Sequence, residues 1–420
     1  MRKIEKFIGF IIIFVVLILS KFYFRDLTLF FRLMIGTGIG YSLARAYTGF
    51  AGSVNRAYRT GSTKLMRTML FMFFITAVIN AGLFLETGAT NYNIWIKPIN
   101  MGLIAGGFLF GFGMSLSVCC ASGVLTDLPS GFPRAFVTLI FFGIGVFFGF
   151  PIQRTASWVS NSWFTTAVGE KTMGGVFLPD LFKGDGLHGY LGAILLIAAL
   201  GAIISYFSYL YEKKQIRNNK FVGHPIEKEQ EEKESFDIST FKLFSSETYK
   251  EFFVKPWTLK QGAVAITILF TLLMGVTKAG WGASQPYGIW FGKLLMFFGI
   301  SSEAIANFTH MPAGLFELPF FEHQISVQNF GIITGAIIYL LTAGKFTNAF
   351  KAGLNMRGKE AAIYALGGIT MGFGTRLANG CNVGALYTPI SNLSLSGWFF
   401  LIAMIVGGII SNKFSDRVFN

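Results

Sequence analysis

The sequence is poor in charged residues and in cysteine. Only 13% of its 420 residues are Asp, Glu, Lys or Arg, whereas 53% are hydrophobic and 50 residues are glycine. Apolar runs of about twenty residues recur along the chain and are long enough to cross a hydrocarbon layer of roughly 30 Å, which excludes a soluble globular protein. Three cysteines, two of them adjacent, are too few for a secreted disulfide framework. The composition predicts an all-α, polytopic membrane protein with reduced thiols.

Acidic residues are also scarce, with 21 Asp and Glu against 35 Lys and Arg. In a soluble protein this excess would indicate nucleic acid, but here the basic residues fall in short loops beside apolar runs, as the positive-inside rule requires. We therefore expect no nucleic-acid partner. A basic surface is compatible with an anionic solute and with anionic lipid of the bilayer.

Motifs for common enzymatic chemistry are missing. The sequence contains no Walker motif, no nucleotide-binding glycine loop in a strand context and no hydrolase triad. The lone His310 has no His, Cys or carboxylate at ligand spacing, so it is more typical of a satisfied polar residue than of a metal ligand. We expect no cofactor, no metal site and no enzymatic activity.

One motif occurs twice. Residues 106–123 and 367–384 both read GG-x3-GFG-x6-C-x2-G. The two copies keep one constant offset, under which the matched residues are Gly111 and Gly372, Gly113 and Gly374, and Cys120 and Cys381. Paired halves with glycine-interrupted apolar segments indicate the substrate site of a transporter. The alternative is that the small residues only let helices pack closely in lipid, which leaves the matched cysteines unexplained.

The charge pattern divides the chain into three parts. These are a first transmembrane half (1–211), a charged cytoplasmic linker (212–257) and a second transmembrane half (258–420). Apolar runs predict spans at 7–24, 28–46, 66–87, 99–118, 134–150, 187–211, 261–278, 287–300, 325–343, 361–379 and 396–412, with a weaker segment at 303–321. No small-residue cleavage site follows the first run, so we expect that run to remain as an anchor. The basic residues place both termini in the cytoplasm.

A second pair of related segments follows a span in each half. Gly49 and Phe50 in the first half correspond to Gly280 and Trp281 in the second, at a shorter offset than that of the GFG copies. The second half therefore holds additional residues between its repeats, which we expect to form a hairpin. The predicted topology makes the GFG segments run in opposite directions. We predict two inverted pseudo-repeats whose broken half-helices meet at a central pathway.

The two matched cysteines are the main candidate site residues. A thiol is a weak donor on a polarisable atom, so Cys120 and Cys381 could contact a soft sulfur- or selenium-bearing anion and still release it. Amide groups at half-helix N-termini would add partial positive charge. We expect neutral thiols, because a thiolate would repel the anion. A single buried cysteine is more often a small hydrophobic residue, and this alternative stays open for Cys119, which has Gly380 opposite it.

Polar residues surround the second cysteine. Arg376 and Asn379 precede Cys381, and Asn382 follows it. A charged residue inside a span is costly and usually faces a cavity, so Arg376 is a candidate contact for an anion. The alternative is that Arg376 pairs with a carboxylate or extends its charge to the membrane surface.

These motifs resemble those of the YeeE/YedE family of bacterial inner-membrane sulfur-compound transporters. The resemblance rests on the two GFG-x6-C-x2-G copies and on Arg45 with Gly49 and Phe50. It implies uptake of thiosulfate through an hourglass-shaped protein, in which cysteines pass the anion along the central path to a small sulfur-carrier protein of the TusA type. Cys120 and Cys381 match two of the family's pathway cysteines. The third falls on Ala51.

Residues 48–62 resemble the YedE branch of the family, which is associated with selenium metabolism. A selenium-containing solute is therefore the rival substrate. Two further functions stay open: a membrane scaffold that recruits a sulfurtransferase through residues 212–257 without transport, and an intramembrane thiol enzyme.

Overall fold

The computed structural model describes residues 2–24, 26–232, 242 and 245–419. Over these residues the chain is helical and forms no β-strand. The helices of the first half and linker are α1 (Arg2–Phe14, continued by a π-helical turn Val15–Leu19 and by Ser20–Tyr23), α2 (Leu27–Ala46), α3 (Gly52–Thr60), α4 (Lys64–Thr87), α5 (Met101–Ser117), α6 (Gly123–Asp127), α7 (Phe132–Thr155), α8 (Tyr190–Arg217) and α9 (Pro225–Glu231), with short turns at Ser157–Ser160, Ala167–Glu170 and Ser246–Tyr249.

The second half also combines long and short helices. It consists of α10 (Leu259–Thr277), α11 (Gln285–Phe297), α12 (Ser302–Thr309), α13 (Ala313–Glu317), α14 (Gln324–Thr342), α15 (Phe346–Ala352), α16 (Gly358–Leu377), a π-helix (Asn382–Tyr387) that continues into α17 (Thr388–Ser391), and α18 (Ser396–Phe419). The predicted linker core at residues 233–241, 243 and 244 lies outside the described residues. The division of the chain at 211 and 258 stays a prediction.

Eight helices of the described residues are long and apolar enough to cross a membrane. They are Lys3–Tyr23, Leu27–Ala46, Lys64–Thr87, Phe132–Thr155, Tyr190–Arg217, Leu259–Thr277, Gln324–Thr342 and Ser396–Arg417. The prediction of an all-α, polytopic membrane protein is therefore confirmed. The helices that carry the GFG copies are not among the eight. Helix α5 has only 17 residues, and α16 includes Lys359, Glu360 and Arg376.

The prediction of a span at 287–300 is wrong. Helix α11 has 13 residues and is about 20 Å long at about 1.5 Å per residue, too short to cross the hydrocarbon layer. Proline is the second residue of this helix, and Ser284 precedes it. The weaker segment at 303–321 forms α12 and α13, two short helices that pack against each other. The expected hairpin of additional residues in the second half is compatible with these two short helices, which contact each other.

The linker residues lie at one end of the bundle, which we call the linker end; the opposite end is the far end. Helix α4 begins at the linker end, where Arg67 pairs with Glu212 at 3.0 Å. Its loop reaches the far end, where the Asn93 amide donates to the carbonyl of Lys278 at 2.7 Å. Both chain termini lie at the linker end, since Lys6 stacks over Tyr249 and Asp416 accepts from Tyr58. That this end is cytoplasmic stays a prediction.

The two GFG helices cross each other in opposite directions with glycines at the contact. A Cβ atom on Gly374 would lie 2.7 Å from the carbonyl oxygen of Gly106, and one on Gly367 would lie 2.8 Å from that of Gly113. Residues early in α5 therefore meet residues late in α16, and the reverse. Only glycine permits so close an approach of two helix backbones.

Two chain breaks of the first half have counterparts at corresponding positions of the second half. Tyr47 and Lys278 both adopt left-handed backbone angles, with φ of 54° and 52°. The offset between them is the one that relates Gly49 to Gly280. Val118 and Asn379, which are related by the offset of the GFG copies, have φ of 57° and 56°. A left-handed residue ends a helix and turns the chain back. The repeat in the sequence thus recurs in the backbone conformation.

Candidate anion pathway

The first cysteine lies in the break between α5 and α6. The Cys120 sulfur accepts a hydrogen bond from the amide of Gly123 at 3.3 Å and lies 3.5 Å from the Ser122 hydroxyl. A Cβ atom on Gly123 would lie 3.2 Å from this sulfur. The glycine of the C-x2-G motif thus leaves room for the thiol and donates to it. Helix α6 has only five residues. The hydrogen bond from the Gly123 amide is therefore a local contact within the chain break, and it does not represent the N-terminus of a long helix.

The second cysteine is buried in the break between α16 and the π-helix that begins at Asn382. Cys381 has no exposed surface, and Cys120 is 1% exposed. The two cysteines are within electrostatic range of each other, and Tyr287 is within range of both. The Tyr287 hydroxyl donates to the carbonyl of Ala121. The structure thus buries both cysteines of the predicted pair in the interior, with the Tyr287 hydroxyl bonded to the residue that follows Cys120.

The aromatic residues of the second motif pair meet in the same region. The rings of Phe50 and Trp281 are 6.4 Å apart, and both contact Tyr387. A Cβ atom on Gly280 would collide with Thr388, whose hydroxyl donates to the carbonyl of Trp281 at 2.8 Å. These residues close the interior between the two halves.

The four predicted pathway glycines of the GFG segments lie at helix contacts. The neighbours of Gly111 and Gly372 are the carbonyls of Met404 and Phe142, and Gly113 and Gly374 lie at the crossing of α5 and α16. None of the four is among the residues that line the two cavities described below. The packing alternative accounts for these glycines.

A basic cavity opens at the far end, and we call it the far cavity. It has a volume of about 380 Å³ and is lined by Trp95, Lys97, Gln153, Arg154, Arg376 and Asn379, among others. Among its described lining residues none is Asp or Glu. The far cavity therefore carries three cationic side chains without a lining carboxylate.

Arg376 and Asn379, which the sequence indicated, both line this cavity. The Arg376 guanidinium donates to Ser284 at 2.8 Å and to Thr375 at 3.2 Å. The amide of Gln153 donates to the Asn379 side chain at 2.5 Å. Over the described residues Arg376 forms no ion pair with a carboxylate, so the structure does not support that alternative.

Lys97 was missed by the sequence analysis. It is 3% exposed, donates to the carbonyl of Asn379, and lies 5.1 Å from the ring centre of Trp95. Burial, and the charge of Arg376, lower the pKa of Lys97 to about 7. A single lysine in a short loop is normally a surface residue. Its only signal in the sequence was its apolar context, between Ile96 and Ile99.

A second cavity opens at the linker end, and we call it the linker cavity. It has a volume of about 680 Å³, and its lining includes Gly49, Ala51, Arg56, Cys119, Cys120 and Arg134. Asp127, which also lines it, pairs with Arg134 at 2.7 Å. Ala51, the position of the expected third cysteine, lies beside Cys120. Asn382 instead is buried, and its amide donates to the Met114 sulfur at 3.1 Å.

Two cavities at opposite ends of a helical bundle, with buried broken helices between them, are typical of membrane transport proteins. The chain belongs to the Sulphur transport family, whose model matches residues 45–410.

Individual relatives carry transporter names. The probable transporter YedE of Escherichia coli is 31% identical over 167 residues, which is 39% of this chain and 39% of that relative. The thiosulfate transporter TsuA of Spirochaeta thermophila is 26% identical over 74% of this chain and 77% of its own length. TsuA of Escherichia coli is 21% identical over 89% of this chain and 91% of its own. The predicted membership of the YeeE/YedE family is thus confirmed.

Proposed function

We propose that this protein takes up a small, soft, sulfur-containing anion, foremost thiosulfate, across the bacterial inner membrane through a path lined by cysteine thiols. The observation that carries the proposal is the buried Cys120 and Cys381 pair at matched helix breaks, with a cavity on either side. The names of the TsuA relatives support thiosulfate as the substrate. The inverted arrangement of the halves is part of the proposal, and the opposed crossing of α5 and α16 supports it.

The chemistry of the two thiols suits transient binding. A neutral thiol donates only a weak hydrogen bond, so it can hold the polarisable sulfur of thiosulfate without trapping it. The anion would enter from the far cavity, pass Cys381 and then Cys120, and leave through the linker cavity. We place the linker end in the cytoplasm, because Lys and Arg cluster in the loops there.

Substitution of each thiol tests the proposal. We expect Cys120→Ala and Cys381→Ala each to abolish uptake of labelled thiosulfate by cells, since each removes one of the two contacts of the buried layer. Cys→Ser at the same positions controls for packing, because serine fills the site but presents a hard oxygen. Normal uptake in both alanine variants would remove the thiol relay.

A selenium-containing solute is the alternative substrate, favoured by residues 48–62 and by the match to YedE. Competition of selenite or another selenium compound against labelled thiosulfate distinguishes the two. If the selenium compound blocks thiosulfate uptake and is itself accumulated faster, selenium is the substrate.

A partner at the linker end is the remaining part of the proposal. A small sulfur carrier of the TusA type would receive the anion where the linker cavity opens. In the scaffold alternative, the protein does not transport, and its linker recruits a sulfurtransferase to the membrane. Deletion of residues 233–241 leaves every described linker contact in place. Uptake should survive this deletion if the protein is a transporter, and growth on the sulfur source should be lost if it is only a scaffold.

A further inference from the structure

The far cavity holds two buried basic side chains that pair with no carboxylate in the part of the chain that the structure describes. Lys97 and Arg376 are 3% and 4% exposed, and neither forms an ion pair over the described residues. Buried charges are normally paired, because removal from water is costly for an unpaired ion. An anion from solution that entered this cavity would supply the missing charge and would stabilise both side chains in their charged forms.

Both side chains keep donors available for a ligand. The Lys97 ammonium has three donors, and over the described residues it uses one, to the carbonyl of Asn379. Arg376 has five donors, of which three contact Ser284, Thr375 and Gln153. These neutral partners fix the guanidinium in position without cancelling its charge.

Glycines at the neighbouring break leave room for the side chains of Lys97 and Trp95. A Cβ atom on Gly380 would lie 2.8 Å from the Lys97 nitrogen, and one on Gly384 would lie 3.6 Å from the Trp95 ring. Trp95 itself has a left-handed φ of 55°, a conformation that is strained for an aromatic residue. The loop that carries Trp95 and Lys97 is thus inserted against the break that carries Cys381.

We propose that Lys97 and Arg376 form an entry site that binds divalent oxyanions in the far cavity and selects them by charge before they reach the thiols. This inference rests on the proposed function for the onward step, but the binding itself does not require transport. Two cations favour a dianion over a monoanion, because each buried charge is then compensated. Selection of the soft sulfur atom would follow at Cys381 and Cys120. Sulfate, a dianion without a soft atom, should bind here.

Calorimetric titration of the purified full-length chain with sulfate, thiosulfate and thiocyanate tests the site. We expect both dianions to bind, and the monoanion thiocyanate to bind at least about tenfold more weakly. Lys97→Gln should weaken sulfate binding by about tenfold or more, while Lys97→Arg, which keeps the charge, should retain part of it. Lys183→Gln, an exposed lysine in the far-end connection, is the matched control and should not change the affinity.

Two results would overturn the entry site. One is sulfate binding by Lys97→Gln within about twofold of the unmodified chain, and the other is equal binding of thiocyanate and sulfate. If Lys97→Gln fails to fold, Arg376→Gln supplies a second test, since it removes the other buried charge of the site and should also weaken sulfate binding by about tenfold or more. The measurement is made without transport, so loss of uptake in the cysteine variants concerns the proposed function and leaves this result unaffected.

Discussion

Among single residues, position 380 marks a chemical difference between the two halves of the repeat. The repeat aligns Gly380 with Cys119, and a side chain at 380 would meet the Lys97 nitrogen. The first half therefore has a second thiol where the second half accommodates an ammonium group. A cysteine at 380 would also collide with the backbone of Gly384 and Ala385, so the cysteine pair of the first half has no counterpart in the second.

Lys97 should make anion binding depend on pH. Burial and Arg376 lower its pKa to about 7, so the ammonium is charged below that pH and loses its proton above it. Arg376 and Arg154 are the other cations of the cavity, and Cys381 also lies close enough to Lys97 to interact with its charge. Sulfate affinity should be highest below pH 7 and fall by up to about tenfold per pH unit above it.

The measurement is the sulfate titration repeated from pH 6 to 9. Because arginine stays charged over this range, Lys97→Arg should bind with an affinity independent of pH. A flat profile for the unmodified chain would show that Lys97 does not hold the anion.

Ala51 offers a test by gain of a thiol. It lines the linker cavity, is 5% exposed and lies beside Cys120. Ala51→Cys adds one buried sulfur atom at the position of the third family cysteine, so we expect the thiosulfate uptake rate to rise relative to that of a selenium competitor. Ala51→Ser is the control of similar size. An unchanged substrate preference would remove position 51 from the path.

Among the helices, the glycine contacts determine how α5 and α16 pack, and the chain breaks determine where the cysteines lie. The GFG glycines let α5 and α16 cross at backbone distance, and the left-handed residues after these helices turn the chain so that each cysteine lies in a break. The glycines therefore help to fix the positions of the thiols, and they are not among the residues that line the far cavity or the linker cavity.

Substitution at the helix crossing should destabilise the protein. The Cβ of Gly374→Ala would lie 2.7 Å from the Gly106 carbonyl, which forces the two helices apart at a cost of about 1–3 kcal/mol. We expect a lower melting temperature of the detergent-solubilised protein. Gly82→Ala is the matched control: its Cβ meets nothing within 4 Å, and alanine favours a helix over glycine by about 0.5–1 kcal/mol. Equal melting temperatures for both variants would contradict this packing.

In the whole molecule, the two ends differ in charge and in contacts. Both termini and the linker lie at one end, and the cation-lined cavity without a carboxylate lies at the other. Such an arrangement suits capture of an anion at the far end and release at the linker end.

Labelling of engineered cysteines tests the orientation. Lys220 and Lys183 are exposed at the linker end and at the far end, whereas the three native cysteines are at most 2% exposed. A membrane-impermeant thiol reagent should label Lys183→Cys in intact cells and Lys220→Cys only in inside-out vesicles, because the basic loops remain in the cytoplasm. The opposite labelling would reverse the direction of transport that we propose.

The sequence by itself determined the eight long apolar helices of the described residues, the repeat and the two cysteines. Apolar run length is a local property, so Leu27–Ala46 was expected within one residue at 28–46. Length alone could not show that residues 285–297 form a short helix after a break, because an apolar run carries no information about where the backbone turns back. Only the tertiary structure decided which residues face the cavities. Lys97 is distant from Arg376 in the sequence, and packing of the loop against Gly380 buries both charges in one place.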